Sequence, residues 1–372
     1  MSILPVRRYS SPVIREDLAE KMVFLAGPRQ VGKTTLARSL GGTYLNWDDS
    51  EGRKAILARD WPARPRVVIF DEIHKYARWR NLVKGYYDTQ KASHSFLLTG
   101  SARLDHYRKG GDSLLGRYHF HRLHPFSLSE VGYDSKALES LMTFGGFPEP
   151  LLTQNARSLR RWQMQRLTRV VREDLRDLQR VRDVSLIERM AEVLPERVGS
   201  PLSIASLARD LEVDFKTARS WIEMLEGLYY CYRIPPFGAP RLRAVRKEQK
   251  LYLWDWSTVS SAGARFENLV AGHLLKYCHF QEDVEGHRME LRFLRDVDKR
   301  EVDFVVLRNS KPLFAVECKT GEKSLSPHIP YFKERTSIPK FYQVHGGTRH
   351  RTPVDGVEII PFAEFCRLEK IP

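Results

Sequence analysis

The chain has 372 residues, 42% of them hydrophobic, 11% aromatic and 29% charged, which excludes a disordered or fibrous polypeptide and makes two or three domains of roughly 100 to 150 residues the expectation. Lys plus Arg number 61 against 46 Asp plus Glu, a net charge of +15 with a pI near 9.7, and this balance favours polyanionic partners, nucleic acid ahead of acidic membrane surfaces, the alternative being simple solubility. Cys231, Cys278, Cys318 and Cys366 are too scattered for zinc-ligand spacing, the amino terminus lacks a signal-peptide core, and no long uncharged apolar stretch occurs; the expectation is a cytoplasmic protein with reduced thiols and no membrane partner.

Residues 22–26 (MVFLA) form an apolar run ending in a glycine turn, and a helical pattern follows from Lys33 to Leu40, which reads as strand, loop, helix. The turn, Gly27-Pro28-Arg29-Gln30-Val31-Gly32-Lys33-Thr34 followed by Thr35, has P-loop spacing. Its glycines allow successive N–H groups to face phosphates at a helix amino terminus, where the positive end of the helix dipole adds to the attraction. Lys33 is expected on the β and γ phosphates and Thr34 on Mg²⁺, so ATP and Mg²⁺ are the expected ligands; the alternative is a glycine turn that binds nothing. The run 67–70 (VVIF) is a second buried strand that delivers Asp71 as a direct or indirect metal ligand. Glu72 then polarises the attacking water, the step that separates hydrolysis from binding, unless the two acids merely cap a helix. A third strand at 95–99 (SFLLT) leads into Thr99-Gly100-Ser101, where Ser101 either senses the γ-phosphate or belongs to an ordinary turn. The three runs together indicate an α/β domain with a parallel P-loop sheet over residues 1–150.

From Ala156 to Arg197 the pattern turns helical and charged, with Leu159, Trp162, Leu167, Val170, Val171, Leu175 and Leu178 as the expected buried positions. Residues 203–233 read as helix, turn, helix, strand, a winged-helix pattern. Between 157 and 250 there are 20 Lys plus Arg and 13 Asp plus Glu, so +7 of the net charge lies in this segment. Lys216, Thr217 and Arg219 fall near the start of the second helix, and Arg241, Arg243, Arg246 and Lys247 follow a Pro-rich turn; these are the expected DNA contacts. The competing reading is a packing module in which Trp221, Leu225 and Leu228 are core.

The last segment holds a helical stretch near 264–277 and apolar runs at 302–307 and 313–317, again α/β. Asp303 is followed fourteen positions later by Glu317-Cys318-Lys319. Strand alternation puts Glu317 and Lys319 on one face, so Asp303 and Glu317 could share Mg²⁺ while Lys319 steadies a hydroxide and Glu267 adds a ligand. The competing reading is an exposed acidic strand.

GPRQVGKTTLA, FDEIHK, LLTGSARL, SLLGRY, HPFSLSEV and GGFPEP resemble, over nearly all of the chain, the prokaryotic AAA-type ATPases that carry a carboxy-terminal domain of unknown function. In that family the arginine of the pair matching Gly116 and Arg117 is a candidate to contact nucleotide phosphate across a subunit interface. The resemblance therefore implies a homo-oligomer, against the alternative of a structural arginine paired with a carboxylate. The tail resembles the PD-(D/E)XK restriction-endonuclease fold. The expectation is thus an AAA-like ATPase domain (1–150), a helical and winged-helix region (151–245) and a nuclease-like domain (246–372). Such a protein hydrolyses ATP and engages DNA under ATP control, with Mg²⁺-dependent cleavage by the tail as a secondary expectation; in the rival expectation it is a nucleotide-gated scaffold whose tail docks without cleaving.

Overall fold

The computed structural model describes residues 7–100, 114–170, 183–238 and 248–372, which form two compact units, Met1–Pro125 and Phe126–Pro372. In the first unit, strands β1 (Met22–Ala26), β2 (Thr43–Asn46), β3 (Val67–Asp71), β4 (Ser95–Thr99) and β5 (Tyr118–Arg122) make one sheet in the order β2-β3-β4-β1-β5. Every pairing in it is parallel. The three central strands are the continuous apolar runs of the sequence, as burial on both faces demands. The outer strands carry polar and aromatic residues (TYLN and YHFHR), because an edge strand is half covered and its apolar signal is diluted. Phe24 stacks on Tyr118 with ring centroids 4.3 Å apart, and Phe70 on Phe96 at 5.7 Å. Helices Ser11–Glu20, Lys33–Ser39, Ser50–Ala58 and Trp79–Gln90 accompany the sheet. The parallel register sets the carboxyl ends of β1, β3 and β4 side by side, Leu25 opposite Thr99 and Asp71 opposite Thr99. That edge is where loops of such sheets gather their functional groups.

The second unit begins with helices Leu128–Val131, Ser135–Phe144, Pro148–Thr153, Ala156–Thr168 and Val184–Val193. Packing divides the chain at 125/126, whereas the change of sequence pattern lies near 150. The residues between belong to the second unit because Trp256 Nε1 donates to the Leu141 carbonyl at 2.7 Å and Phe147 packs on Trp162 at 5.1 Å. Of the expected buried helix positions, Trp162 and Val170 are buried, Leu159 and Leu167 are half-buried, and Val171, Leu175 and Leu178 lie outside the described residues. Arg166 is buried as well, its guanidinium 4.3 Å from the Phe147 ring centroid and donating to the Tyr229 carbonyl at 3.3 Å. A stacked guanidinium with a carbonyl partner tolerates such burial, which an apolar-periodicity count does not register.

Helices Ile204–Asp210 and Phe215–Gly227 follow, then strands β6 (Cys231–Ile234) and β7 (Lys250–Leu253), which pair antiparallel. Asp214 caps the second helix by accepting from the Lys216 and Thr217 amides. A helix longer than the sequence pattern indicated, Ala262–Glu285, leads into β8 (Met289–Arg295), β9 (Glu301–Arg308), β10 (Lys311–Lys319), β11 (Phe341–His345), β12 (Arg351–Val354) and β13 (Val357–Pro361). These make a mixed sheet in the order β12-β13-β11-β10-β9-β8. Helices His328–Arg335 and Phe362–Leu368 complete the unit. No helix among the described residues is long and apolar enough to cross a membrane.

Candidate functional site

The loop after β1 is shaped by its glycines. Gly27 has φ +145, and a Cβ there would lie 2.4 Å from the Leu123 carbonyl oxygen, so no larger residue fits without moving β5's continuation. Gly32, at φ +97, caps the helix Lys33–Ser39. Between them Val31 is fully buried, and Gln30 takes a left-handed conformation (φ 62). The buried Arg8 holds the loop from behind, donating to the Val31 carbonyl at 2.8 Å and to the His124 carbonyl. Lys33 is buried and folds back so that Nζ donates to the carbonyls of Gly27 (2.9 Å) and Pro28 (2.6 Å). An ammonium held by two neutral carbonyls can be drawn onto an anion at little cost, since a charged acceptor binds it more strongly.

Asp71, at the tip of β3, is the hub of the facing side. Its Oδ2 accepts from Thr34 Oγ1 (2.9 Å) and Tyr44 OH (2.6 Å), and its Oδ1 from Thr99 Oγ1. Burial first, then the neighbouring carboxylate, push the Tyr44 phenol up to about 12, so it stays a donor. Arg38 lies 3.9 Å from the Tyr44 ring centroid. Glu72 follows in a left-handed conformation (φ 58), a strained placement for a non-glycine residue that turns it off the strand. Its carboxylate lies 3.5 Å from Lys75 Nζ, and desolvation raises its pKa from the ordinary value in spite of that cation. Thr34 and Asp71 suit Mg²⁺: an oxygen-only donor pair, hydroxyl beside carboxylate, where the loop enters its helix. Tyr44 and Thr99 were not singled out as Asp71's partners from the sequence. Only the parallel register brings β2 and β4 against that carboxylate; Thr99 had the signal of a polar residue closing the apolar run SFLLT, and Tyr44, on an edge strand, had none.

Two expected members do not join this group in the described structure. Arg117 precedes β5 at the end paired with Met22, the start of β1, whereas the phosphate loop leaves the other end of β1. A five-residue strand, roughly 16 Å at 3.3 Å per residue, separates the two. Its guanidinium pairs with Asp88 at 2.9 Å. Ser101 lies outside the described residues.

In the second unit the tail residues do converge, around a side chain the sequence reading passed over. Lys250, 1% exposed, points its ammonium at Glu267 (3.0 Å), Glu301 (2.5 Å) and Asp303 (3.3 Å). Glu267 also accepts from Tyr252 OH (2.7 Å), Asp303 from the Cys318 amide (2.9 Å), and Glu301 pairs with Arg295 (3.2 Å). Glu317 and Lys319 share a strand face as alternation requires, but Lys319 Nζ is bonded to Glu317 at 2.6 Å. Burial and the nearby Asp303 raise Glu267 and Glu317 to about 7. Among the described residues no group of three or more His, Cys, Asp or Glu is arranged to hold a metal ion. The carboxylates expected to share Mg²⁺ therefore do not fit it as they stand: two of them, Glu267 and Asp303, are turned onto an ammonium. The signal for Lys250 was a lysine opening the apolar run LYLW.

On the helix Phe215–Gly227, Lys216, Thr217 and Arg219 are at the amino-terminal end, with Arg219 exposed and paired to Glu223 at 2.9 Å. Trp221, Leu225 and Leu228 are buried. Arg241, Arg243, Arg246 and Lys247 lie outside the described residues.

Residues 19–132 match the family profile of an AAA domain, residues 135–268 a domain of unknown function (DUF8612) and residues 262–365 another (DUF4143). Two curated relatives, an uncharacterized protein of Mycobacterium bovis and one of Mycobacterium tuberculosis, are each 26% identical over 267 residues, 68% of this chain. The match spans 60% of those relatives' own length. The AAA match supports a P-loop AAA-type ATPase domain in the first part of the chain, with the nucleotide use that such domains imply.

Proposed function

We propose that this protein hydrolyses ATP at the loop Gly27–Thr35 and that the hydrolytic cycle governs how its second unit engages DNA. The observation that carries the first half is the meeting of Thr34 with Asp71 at 2.9 Å, beside Glu72 and across from the Lys33 ammonium. In this reading the loop amides and Lys33 hold the β and γ phosphates, and Thr34 and Asp71 hold Mg²⁺, which neutralises phosphate charge. Glu72 accepts the proton of the attacking water; its desolvated setting makes it a stronger base than an exposed glutamate. Arg117 enters the reading only from a second copy of the chain, as the homo-oligomer implied by family resemblance would allow.

The second half rests on the excess charge of +7 between residues 157 and 250. It also rests on a helix pair followed by an antiparallel hairpin, with Lys216, Thr217 and exposed Arg219 at the start of the second helix. This is the winged-helix reading, within a division into an ATPase domain (1–150), a helical and winged-helix region (151–245) and a terminal α/β domain (246–372). Because Lys250 occupies the carboxylates, the terminal domain is read as a docking element, and no cleavage step is assigned to it.

One assay tests both halves: ATP turnover with and without duplex or single-stranded DNA. Lys33→Ala is expected to abolish nucleotide binding, and Glu72→Gln to lower turnover by roughly 10² to 10⁴ while binding persists. DNA affinity should fall steeply between 50 and 200 mM salt, by about 10³-fold or more if six phosphates are contacted. Turnover unaffected by both substitutions would remove the hydrolytic reading, and binding that ignores salt would leave the scaffold reading in place of DNA.

A further inference from the structure

The terminal sheet and the long helix beside it present four carboxylates, Glu301, Asp303 and Glu317 from the sheet and Glu267 from the helix, where a nuclease-like reading of the sequence requires an ion. An ammonium has three N–H donors and no acceptor. Lys250 Nζ has three carboxylate neighbours, one from the helix Ala262–Glu285 and two from β9. All its donor capacity is therefore matched. The contacts of 2.5 to 3.3 Å are those of charge-assisted N–H···O pairs.

Of the other oxygens, Asp303 Oδ2 accepts from the Cys318 amide and Glu301 Oε2 pairs with Arg295, while Tyr252 donates to the same Glu267 Oε1 that Lys250 holds and Lys319 donates to Glu317 Oε1. Glu267, Glu301 and Asp303 thus share the Lys250 ammonium, and a divalent ion bridging Glu267 and Asp303 would have to displace that tethered charge. An ammonium fixed to β7 competes at very high effective concentration, and expelling it would leave a buried lysine without its partners. Lys250 is 1% exposed and packs near the Phe293 ring, so it has no solvent to retreat to.

We propose that the Lys250 ammonium is the resident cation of this centre, standing in the place of a divalent ion, so that the terminal domain is metal-independent and does not cut nucleic acid. Its position gives it a second consequence. Lys250 belongs to the β6–β7 hairpin, while its partners belong to the long helix and to β9. The cluster therefore fastens the β6–β7 hairpin to the long helix and the terminal sheet by charge instead of by a metal. This assignment is independent of what the first unit hydrolyses.

The test uses the full chain carrying Asp71→Asn, which removes the acid of the P-loop site, with Mn²⁺ titrated in the absence of nucleotide. In that background the lysine-bearing protein is expected to bind no Mn²⁺ that depends on Asp303, its isotherm unchanged by adding Asp303→Asn, and its thermal midpoint insensitive to EDTA. Lys250→Met keeps the length and removes the charge; it should lower the midpoint and gain at least tenfold in Mn²⁺ affinity, with Mn²⁺ restoring part of the midpoint and Asp303→Asn abolishing the gain. Binding by the lysine-bearing protein that Asp303→Asn removes would overturn the proposal. So would a folded Lys250→Met protein that gains no ion, or Mn²⁺-dependent cleavage of DNA lost on Asp303→Asn. If Lys250→Met does not fold, the comparison with Asp303→Asn alone still decides.

Discussion

Asp71 accepts from three hydroxyls, and each has a different origin: Thr34 from the loop helix, Tyr44 from β2 and Thr99 from β4. Such bonds to a carboxylate contribute roughly 1.5–3 kcal/mol each when one partner is charged. Tyr44 is the informative one, because its ring also carries the Arg38 guanidinium and it lies outside the loop itself. Tyr44→Phe keeps the ring and removes only the hydroxyl. Its expected result is a fall in ATP turnover of about 10-fold or somewhat more, the size of one lost charge-assisted bond, with the urea midpoint lowered by a comparable free energy. A loss as complete as that of Lys33→Ala would mean that the hydroxyl touches the reacting atoms and does more than orient the carboxylate.

Among the elements, the helix Ala262–Glu285 shows how a buried ionisable group sets a pH limit. His273 Nδ1 donates to the Leu269 carbonyl at 2.8 Å, and Nε2 accepts from the Leu128 amide at 3.1 Å. A second proton would have to sit where an N–H already points. Desolvation, with Lys276 adding to it, lowers this histidine from 6.5 to about 3. The folded value is depressed, so the neutral ring's contribution is complete above pH 6.5 and is lost as pH falls toward 3, because the unfolded chain takes up a proton that the native one refuses. The expected stability loss approaches 1.4 kcal/mol per pH unit in that window for one proton. Urea titrations at a series of pH values should show that slope, and His273→Gln should flatten it; an equal slope in both proteins would assign the acid sensitivity to other groups.

For the whole molecule the question is whether one chain is a complete enzyme. Within the first unit Arg117 sits at the opposite edge of the sheet from the phosphate loop and is paired with Asp88. In dilute solution, Arg117→Ala should therefore change ATP turnover by less than about threefold, since the substitution removes only a solvent-screened pair remote from the loop. If turnover per chain in the native protein rises with concentration and Arg117→Ala removes that rise, a second copy supplies the guanidinium. If the substitution abolishes turnover at every concentration, the arrangement of this sheet edge is misread.

How much of this was legible from residues alone follows from the range of the interactions involved. The central strands, the glycine-bounded loop, Lys33, Thr34 and the Asp71-Glu72 pair are local patterns, since a buried parallel strand must be apolar along its length and a phosphate loop needs its glycines at fixed offsets. The edge strands β2 and β5 were not legible, because half-covered strands carry no continuous apolar signal. Nor were Tyr44 and Thr99 on Asp71, or Lys250 among its carboxylates, because those partners are separated by 17 to 53 positions and meet only through sheet register and packing. Sequence by itself determined where a phosphate could be held and which acids could serve it. Tertiary structure alone decided which cation each acid faces, since charge in a folded interior is balanced by whatever the fold brings within about 3 Å.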